Sequence, residues 1–161
     1  MKRVEIIFID PRAEARNIPD YATVGSAGLD LRSCDNCMLY PGETAKFPMG
    51  YRIHIGDHTL CAMIMPRSGL GVKGILPANV VGIIDSDYQG ELVVHLKNHS
   101  NEEYLVQNGD RIAQLLFVPV EHVNFSVVNE FSYTSKRGGG GFGSTGCLLY
   151  TSPSPRDGLL S

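Results

Sequence analysis

Short apolar, β-branched runs recur along this chain, and each is soon cut off by Gly, Pro, Asn or Asp. Runs of that kind favour extended backbone, and the punctuating residues favour turns. The candidate strands are residues 4–9, 29–33, 44–47, 51–55, 59–65, 80–84, 91–97, 103–106, 111–118 and 123–128. Nowhere does an apolar i, i+3, i+4, i+7 stripe persist for three turns, and only residues 68–73 read as one short helical turn. The pattern predicts an all-β domain, a sandwich, jelly roll or small barrel, with at most one short helix. The run Arg111-Ile112-Ala113-Gln114-Leu115-Leu116-Phe117-Val118 is more continuously apolar than a half-exposed strand. It predicts burial on both faces, by the core on one side and a partner subunit on the other.

With 161 residues, 43% of them hydrophobic, the chain can bury a core, and one domain is the default. A net charge of -3 argues against a general nucleic-acid surface. No apolar run approaches membrane-spanning length. The basic start Met1-Lys2-Arg3 is followed by too short an apolar run for a signal peptide, so a cytoplasmic protein is expected. Cys34 and Cys37 form a C-x-x-C, but no second pair follows, and the histidines are scattered. That spacing reads as loop thiols and solvated histidines rather than a metal site.

Between two apolar runs lies Gly82-Ile83-Ile84-Asp85-Ser86-Asp87-Tyr88-Gln89-Gly90-Glu91-Leu92. It reads as a β-hairpin holding Asp85 and Tyr88 at its tip. A carboxylate able to act as a base beside an aromatic plate suits a nucleoside; an ordinary surface turn is the bland alternative. Pro66-Arg67-Ser68-Gly69 puts a guanidinium and a hydroxyl at a strand end, next to glycine that permits close backbone approach. Asp30 stands between two leucines, and Gln114 lies inside the apolar run, where an unmade hydrogen bond costs about 1–3 kcal/mol. Turns and edge positions explain the first two as well. After Tyr133 the strand pattern stops. Arg137, the glycines around Phe142, Gly143, and the hydroxyls of Ser144 and Thr145 form either a flexible linker or an anion-binding arm with an aromatic lid. No Gly-Lys-[Ser/Thr] closes it as a Walker loop.

Taken in order, residues 27–31, 66–71, 82–92, 109–114 and 137–146 resemble the five motifs of the trimeric dUTP pyrophosphatases (dUTPases), and the resemblance spans residues 4–146. It implies a jelly-roll-like homotrimer with shared active sites at subunit interfaces and a flexible glycine-rich C-terminal arm. The activity implied is hydrolysis of dUTP to dUMP and pyrophosphate with Mg²⁺. By the same resemblance Asp85 activates the water, Tyr88 packs beneath the deoxyribose, and Asn79 reads uracil with backbone around Gly82. Arg67, Ser68, Gly69 and Gln114 hold phosphates or the attacking water, and Asp30 reaches Mg²⁺ indirectly, through water. Arg137, Phe142, Gly143, Ser144 and Thr145 close over a neighbouring subunit's site.

The resulting organisation is a β domain over residues 1–133, the arm over 134–146, and a foreign segment over 147–161. Cys147-Leu148-Leu149-Tyr150-Thr151-Ser152-Pro153-Ser154-Pro155-Arg156-Asp157 is the one-frame translation of a transposase-type sequencing adapter. A disordered native tail is the alternative, on its Ser and Pro content. Three rival functions stand beside hydrolysis. A dCTP deaminase would need an Arg-Glu constellation that the Asp85–Gly90 segment does not offer. A binder of a regulatory protein has no residue pattern to support it here. A purely structural β-protein leaves five ordered motifs unexplained.

Overall fold

The computed structural model describes residues 2–16 and 18–141. Met1–His122 form one compact unit and Val123–Ser161 another. The first unit holds β1 (Glu5–Phe8), α1 (Pro11–Arg16), β2 (Leu29–Arg32), β3 (Cys37–Leu39), β4 (Thr44–His54), β5 (Leu60–Met65), α2 (Ser68–Val72), β6 (Ile75–Pro77), β7 (Gly82–Ile84), β8 (Glu91–Asn98), β9 (Tyr104–Val106) and β10 (Arg111–Pro119). One four-stranded sheet runs β1-β4-β8-β6, another runs β2-β10-β5-β7, and β3 pairs with β9. Every pairing is antiparallel.

Period-two patterning decides which side chains go inward. Along β8, Leu92, Val94, Leu96 and Asn98 are buried in strict alternation. Along β5, Ala62 and Ile64 turn inward and Met63 and Met65 outward. Inward residues of both larger sheets, among them Phe47, Tyr51, Leu96, Leu31, Ile64 and Leu115, join one core cluster. The buried Asn98 is satisfied: its Nδ2 donates to the carbonyls of Leu39 (2.9 Å) and Glu102 (2.7 Å). Its Oδ1 accepts from the Ser100 amide (2.9 Å) and hydroxyl (2.8 Å). Tyr51 differs. Its hydroxyl is buried with no hydrogen-bond partner, and burial pushes its phenol well above the ordinary value.

Several expectations need correction. There are two short helices, not at most one. Asp10 caps α1, its Oδ1 accepting from the Arg12 amide at 2.9 Å, and Pro11 fills the first helical position. The candidates at 44–47 and 51–55 are one strand, β4. Met49, Gly50 and Tyr51 lie opposite Leu92 alone, because β4 pairs Pro48 with Val93 and Arg52 with Glu91. Gly50 makes this irregularity possible at φ +74, and a Cβ there would lie 2.7 Å from the Cβ of Ala13.

The expected hairpin at 82–92 is absent: β7 pairs with β5, whereas β8 pairs with β4 and β6. Asp85–Gly90 is therefore a crossing from one sheet to the other. The expected strand over 123–128 is not formed either. The alternation of Val123, Phe125 and Val127 is real, but no described strand pairs with it, and Phe125 is 95% exposed. No described helix is long and apolar enough to cross a membrane.

Candidate active site

Three strand ends build a polar recess. Asp30 on β2 alternates with the fully buried Leu31 and so faces away from the core. Gln114 on β10 pairs with Asp30 on one side and Met65 of β5 on the other. Arg67 follows β5 and precedes α2. Arg67 Nε approaches Asp30 Oδ1 at 2.9 Å, and Arg111 Nη1 approaches Asp30 Oδ2 at 3.3 Å. Arg67 Nη1 also donates to the Arg111 carbonyl at 3.1 Å. Gln114 Nε2 donates to the Pro66 carbonyl at 2.9 Å, which fixes its amide. A Cβ at Gly28 would come within 2.8 Å of Gln114 Oε1, so only glycine leaves that amide its place.

These residues, with Ser26, Ala27, Ser68 and Gly69, line a recess of about 520 Å³. Two guanidiniums facing one carboxylate leave it net positive, which suits a polyanion. Ser68 and Gly69 are exposed at its rim.

A second group lies around the β6–β7 turn and the crossing after β7. The Val81 amide donates to the Asn79 carbonyl at 2.6 Å, and the Val80 amide to Pro77 at 2.9 Å. The Asn79 Nδ2 stands 3.2 Å from where a Gly82 Cβ would be. Asp85 is exposed, and among the described residues its carboxylate makes no hydrogen bond. The Tyr88 amide donates to the Asp85 carbonyl at 3.2 Å and its hydroxyl to the Glu91 carbonyl at 3.0 Å. Any Cβ at Gly90 would collide with the Tyr88 ring, so Gly90 lets the ring lie flat on the backbone.

The two groups are separate within one chain. Neither Asn79, Asp85 nor Tyr88 lines the recess. The strands β2 and β7 are opposite edges of the same four-stranded sheet. Three strand spacings amount to about 14 Å, beyond the reach of any hydrogen bond.

In the second unit, Arg137 Nε donates to the Gly140 carbonyl at 2.8 Å, within a local turn. Phe142, Gly143, Ser144 and Thr145 lie outside the described residues.

Sequence reasoning assigned no role to Arg111, although it is the second cation on Asp30. A register shift between Arg111 and Ala113 breaks simple alternation there, so Ile112 and Ala113 are both buried. The charge in Asp110-Arg111 was the available signal.

Fold and recess define a β-sandwich built to hold an anion at one sheet face. The dUTPase family model matches residues 14–146. The deoxyuridine 5'-triphosphate nucleotidohydrolase of Photorhabdus laumondii is 52% identical over 150 residues, covering 91% of this chain and 98% of that protein. The enzyme of the same name from Tolumonas auensis is 53% identical, covering 91% and 99%. Among solved structures, the dUTPase of Staphylococcus bacteriophage 80alpha with dUpNHpp is similar, with a TM-score of 0.81 at 25% identity, covering 91% of this chain and 99% of that one. The dUTPase of phage phi11 of S. aureus, described with a structural Mg(II) ion, shares the fold with a TM-score of 0.74 at 21% identity, over 82% and 100%. This chain belongs to the dUTPase family.

Proposed function

We propose that the chain hydrolyses dUTP to dUMP and pyrophosphate, keeping uracil out of DNA and supplying dUMP for thymidylate synthesis. The observation that carries this is the joining of Asp30, Arg67, Ser68 and Gln114, from three separate motifs, in one cationic recess. The chain's relatives at about half identity carry the matching enzyme name.

In this reading the Asp85 carboxylate takes a proton from water as that water attacks the α-phosphorus. The bond to the oxygen bridging to the β-phosphorus breaks, and pyrophosphate leaves. Arg67, Ser68, Gly69 and Gln114 hold phosphates and the water. Tyr88 underlies the sugar and excludes a 2′-hydroxyl. Asn79 and the backbone at Gly82 pair with the uracil edge and leave cytosine mispaired. Arg137, Phe142, Gly143, Ser144 and Thr145 close the site.

Asp30 suits an indirect role toward Mg²⁺. Its oxygens already face two guanidiniums, and among the described residues no group of three His, Cys, Asp or Glu surrounds a common point. Mg²⁺ is commonly held by substrate phosphates and water with few carboxylates, and that is the fit here. Bound with the nucleotide, it supplies charge neutralisation on the leaving phosphates.

The separation of Asp85 from the recess supports a homotrimer with shared sites. Leu116, Met63 and Ile83 sit side by side on three adjacent strands, facing away from the core, and Ile83 is 56% exposed. Asp30 and Gln114 face the same way. Packing this face against a second subunit buries the apolar row and brings a neighbour's Asn79–Tyr88 segment over the recess. The substrate is a phosphorylated nucleotide, which places the activity inside the cell.

The test is pyrophosphate release from dUTP, dCTP, dTTP and UTP side by side with Mg²⁺, with the mass of the active species measured. Strong preference for dUTP from a trimeric species is expected. Orthophosphate release, or uridine nucleotide formed from dCTP, would overturn the reading.

A further inference from the structure

Val80 has φ +62 and is the one non-glycine residue with positive φ among the described residues. A β-branched side chain is among the worst suited to that region. The 2.6 Å hydrogen bond from the Val81 amide back to the Asn79 carbonyl makes residues 79–81 a γ-turn of the rarer, strained hand.

The side chain does not compensate for this, since within the chain Val80 is 62% exposed. The constraint comes from topology. Residues 78–81 join β6, in one sheet, to β7, in the other. Both ends are pinned: the Ala78 amide donates to the His95 carbonyl at 2.7 Å, and Gly82 pairs with Ile64. A crossing this short must reverse sharply, and a relaxed valine would lengthen the turn. The reversal occupies Asn79's carbonyl and sets its side-chain amide beside Gly82.

We propose that Val80 is a positioning residue for base discrimination: its strained backbone aims the Asn79 amide, and the bare Gly82 beside it, at the base. The inference rests on the reading of Asn79 as the group that recognises uracil. Strain kept at an exposed residue, where any small polar residue would fit better, points to a functional constraint.

Three variants test it: Val80→Gly, Val80→Asn and Asn79→Ala, each compared for melting temperature and for kcat and KM with dUTP and dCTP. Glycine adopts positive φ freely, so Val80→Gly should melt no lower than the parent yet lose the fixed turn. Its KM for dUTP should rise about tenfold, the factor given by about 1.4 kcal/mol of lost positioning, with kcat nearly kept. Preference for dUTP over dCTP should fall with it. Asparagine tolerates positive φ but remains far less free than glycine, so Val80→Asn should recover most of the parental KM and preference.

If Asn79→Ala abolishes base preference while Val80→Gly keeps parental KM and preference, the inference fails and the reading of Asn79 stands. If Asn79→Ala leaves base preference intact, that reading fails and takes the inference with it. A Val80→Gly chain that melts well below the parent would show the turn to be structural only, and would also overturn the inference.

Discussion

The recess around Asp30 and the segment from Asn79 to Tyr88 are built on opposite principles. In the recess each functional side chain is already engaged: Arg67 and Arg111 on Asp30, and Gln114 on the Pro66 carbonyl. Asp30 is only 18% exposed. In the second segment Asp85 has no partner, Val80 is strained and both are exposed. The recess is complete as it stands, and its charges are held in place before any ligand arrives. The other segment is aimed outward, at something the same chain does not supply. In our reading a neighbouring subunit's recess supplies it.

The largest effect should come from Asp85→Asn. The amide keeps the shape and loses the base, so turnover should fall at least ~10²-fold, the lower end for a positioned general base, while dUTP binding is retained. Mixing this variant with Arg67→Ala then tests the division directly. If each recess is served by a neighbour's Asp85, mixed trimers should exceed the average of the two separate preparations. No gain, with mixed species verified by mass, would put both groups on one chain's site.

Arg67→Ala alone comes next. A hydrogen bond to a charged group is worth ~1.5–3 kcal/mol, so kcat/KM for dUTP should drop roughly 10- to 150-fold. An unchanged value would mean that Arg111 carries the phosphates.

Tyr88→Ala should raise UTP turnover relative to dUTP by roughly tenfold, the scale of discrimination by a packed pocket, without improving dCTP. Equal relaxation toward both would indicate collapse of the crossing.

The smallest effect is expected far from both regions. The Lys2 ammonium, then the Thr59 hydroxyl and amide, hold the Asp57 carboxyl well below the usual carboxylate range. Its folded pKa is lowered, so its contribution to stability is present at neutral pH and declines as the pH falls below about 4. Asp57→Asn should therefore melt slightly lower than the parent at pH 7, with the gap closing in acid and activity untouched. A gap that widens in acid would contradict that sign.

Legibility followed the range of the interactions involved. The alternation of β8 and β5 was readable because each residue's inward or outward fate is written locally. Asp30, Arg67 and Gln114 stood out as polar residues that an apolar strand or its end would otherwise not keep. Pairing was not readable. The runs flanking Asp85 have the composition of a hairpin, yet each finds its partner elsewhere in the chain. Pro48 and Gly50 looked like a break, because a glycine-enabled irregularity and a turn share the same residues. α1 was missed although Asp10-Pro11 is a capping signal, since six residues are too few to show a stripe. The strain at Val80 leaves no trace in sequence, because valine is not a turn residue. Residues 123–128 carry a strand's alternation without a described partner, so pattern alone overstated them.

The link from Asp85 to Gly90 has one foot in each layer of the sandwich. Asp85 follows directly on Ile84, which packs against the core, and Gly90 leads into Leu92, which is fully buried. The thickness of the interior thus sets where that carboxylate sits. Trimming a side chain such as Phe47 or Leu96, remote from any nucleotide, would let the layers settle and draw the link with them. Such a lesion would surface first as slower chemistry in a protein that still folds, and a screen for activity would then mistake a fault in the filling for a fault in the site.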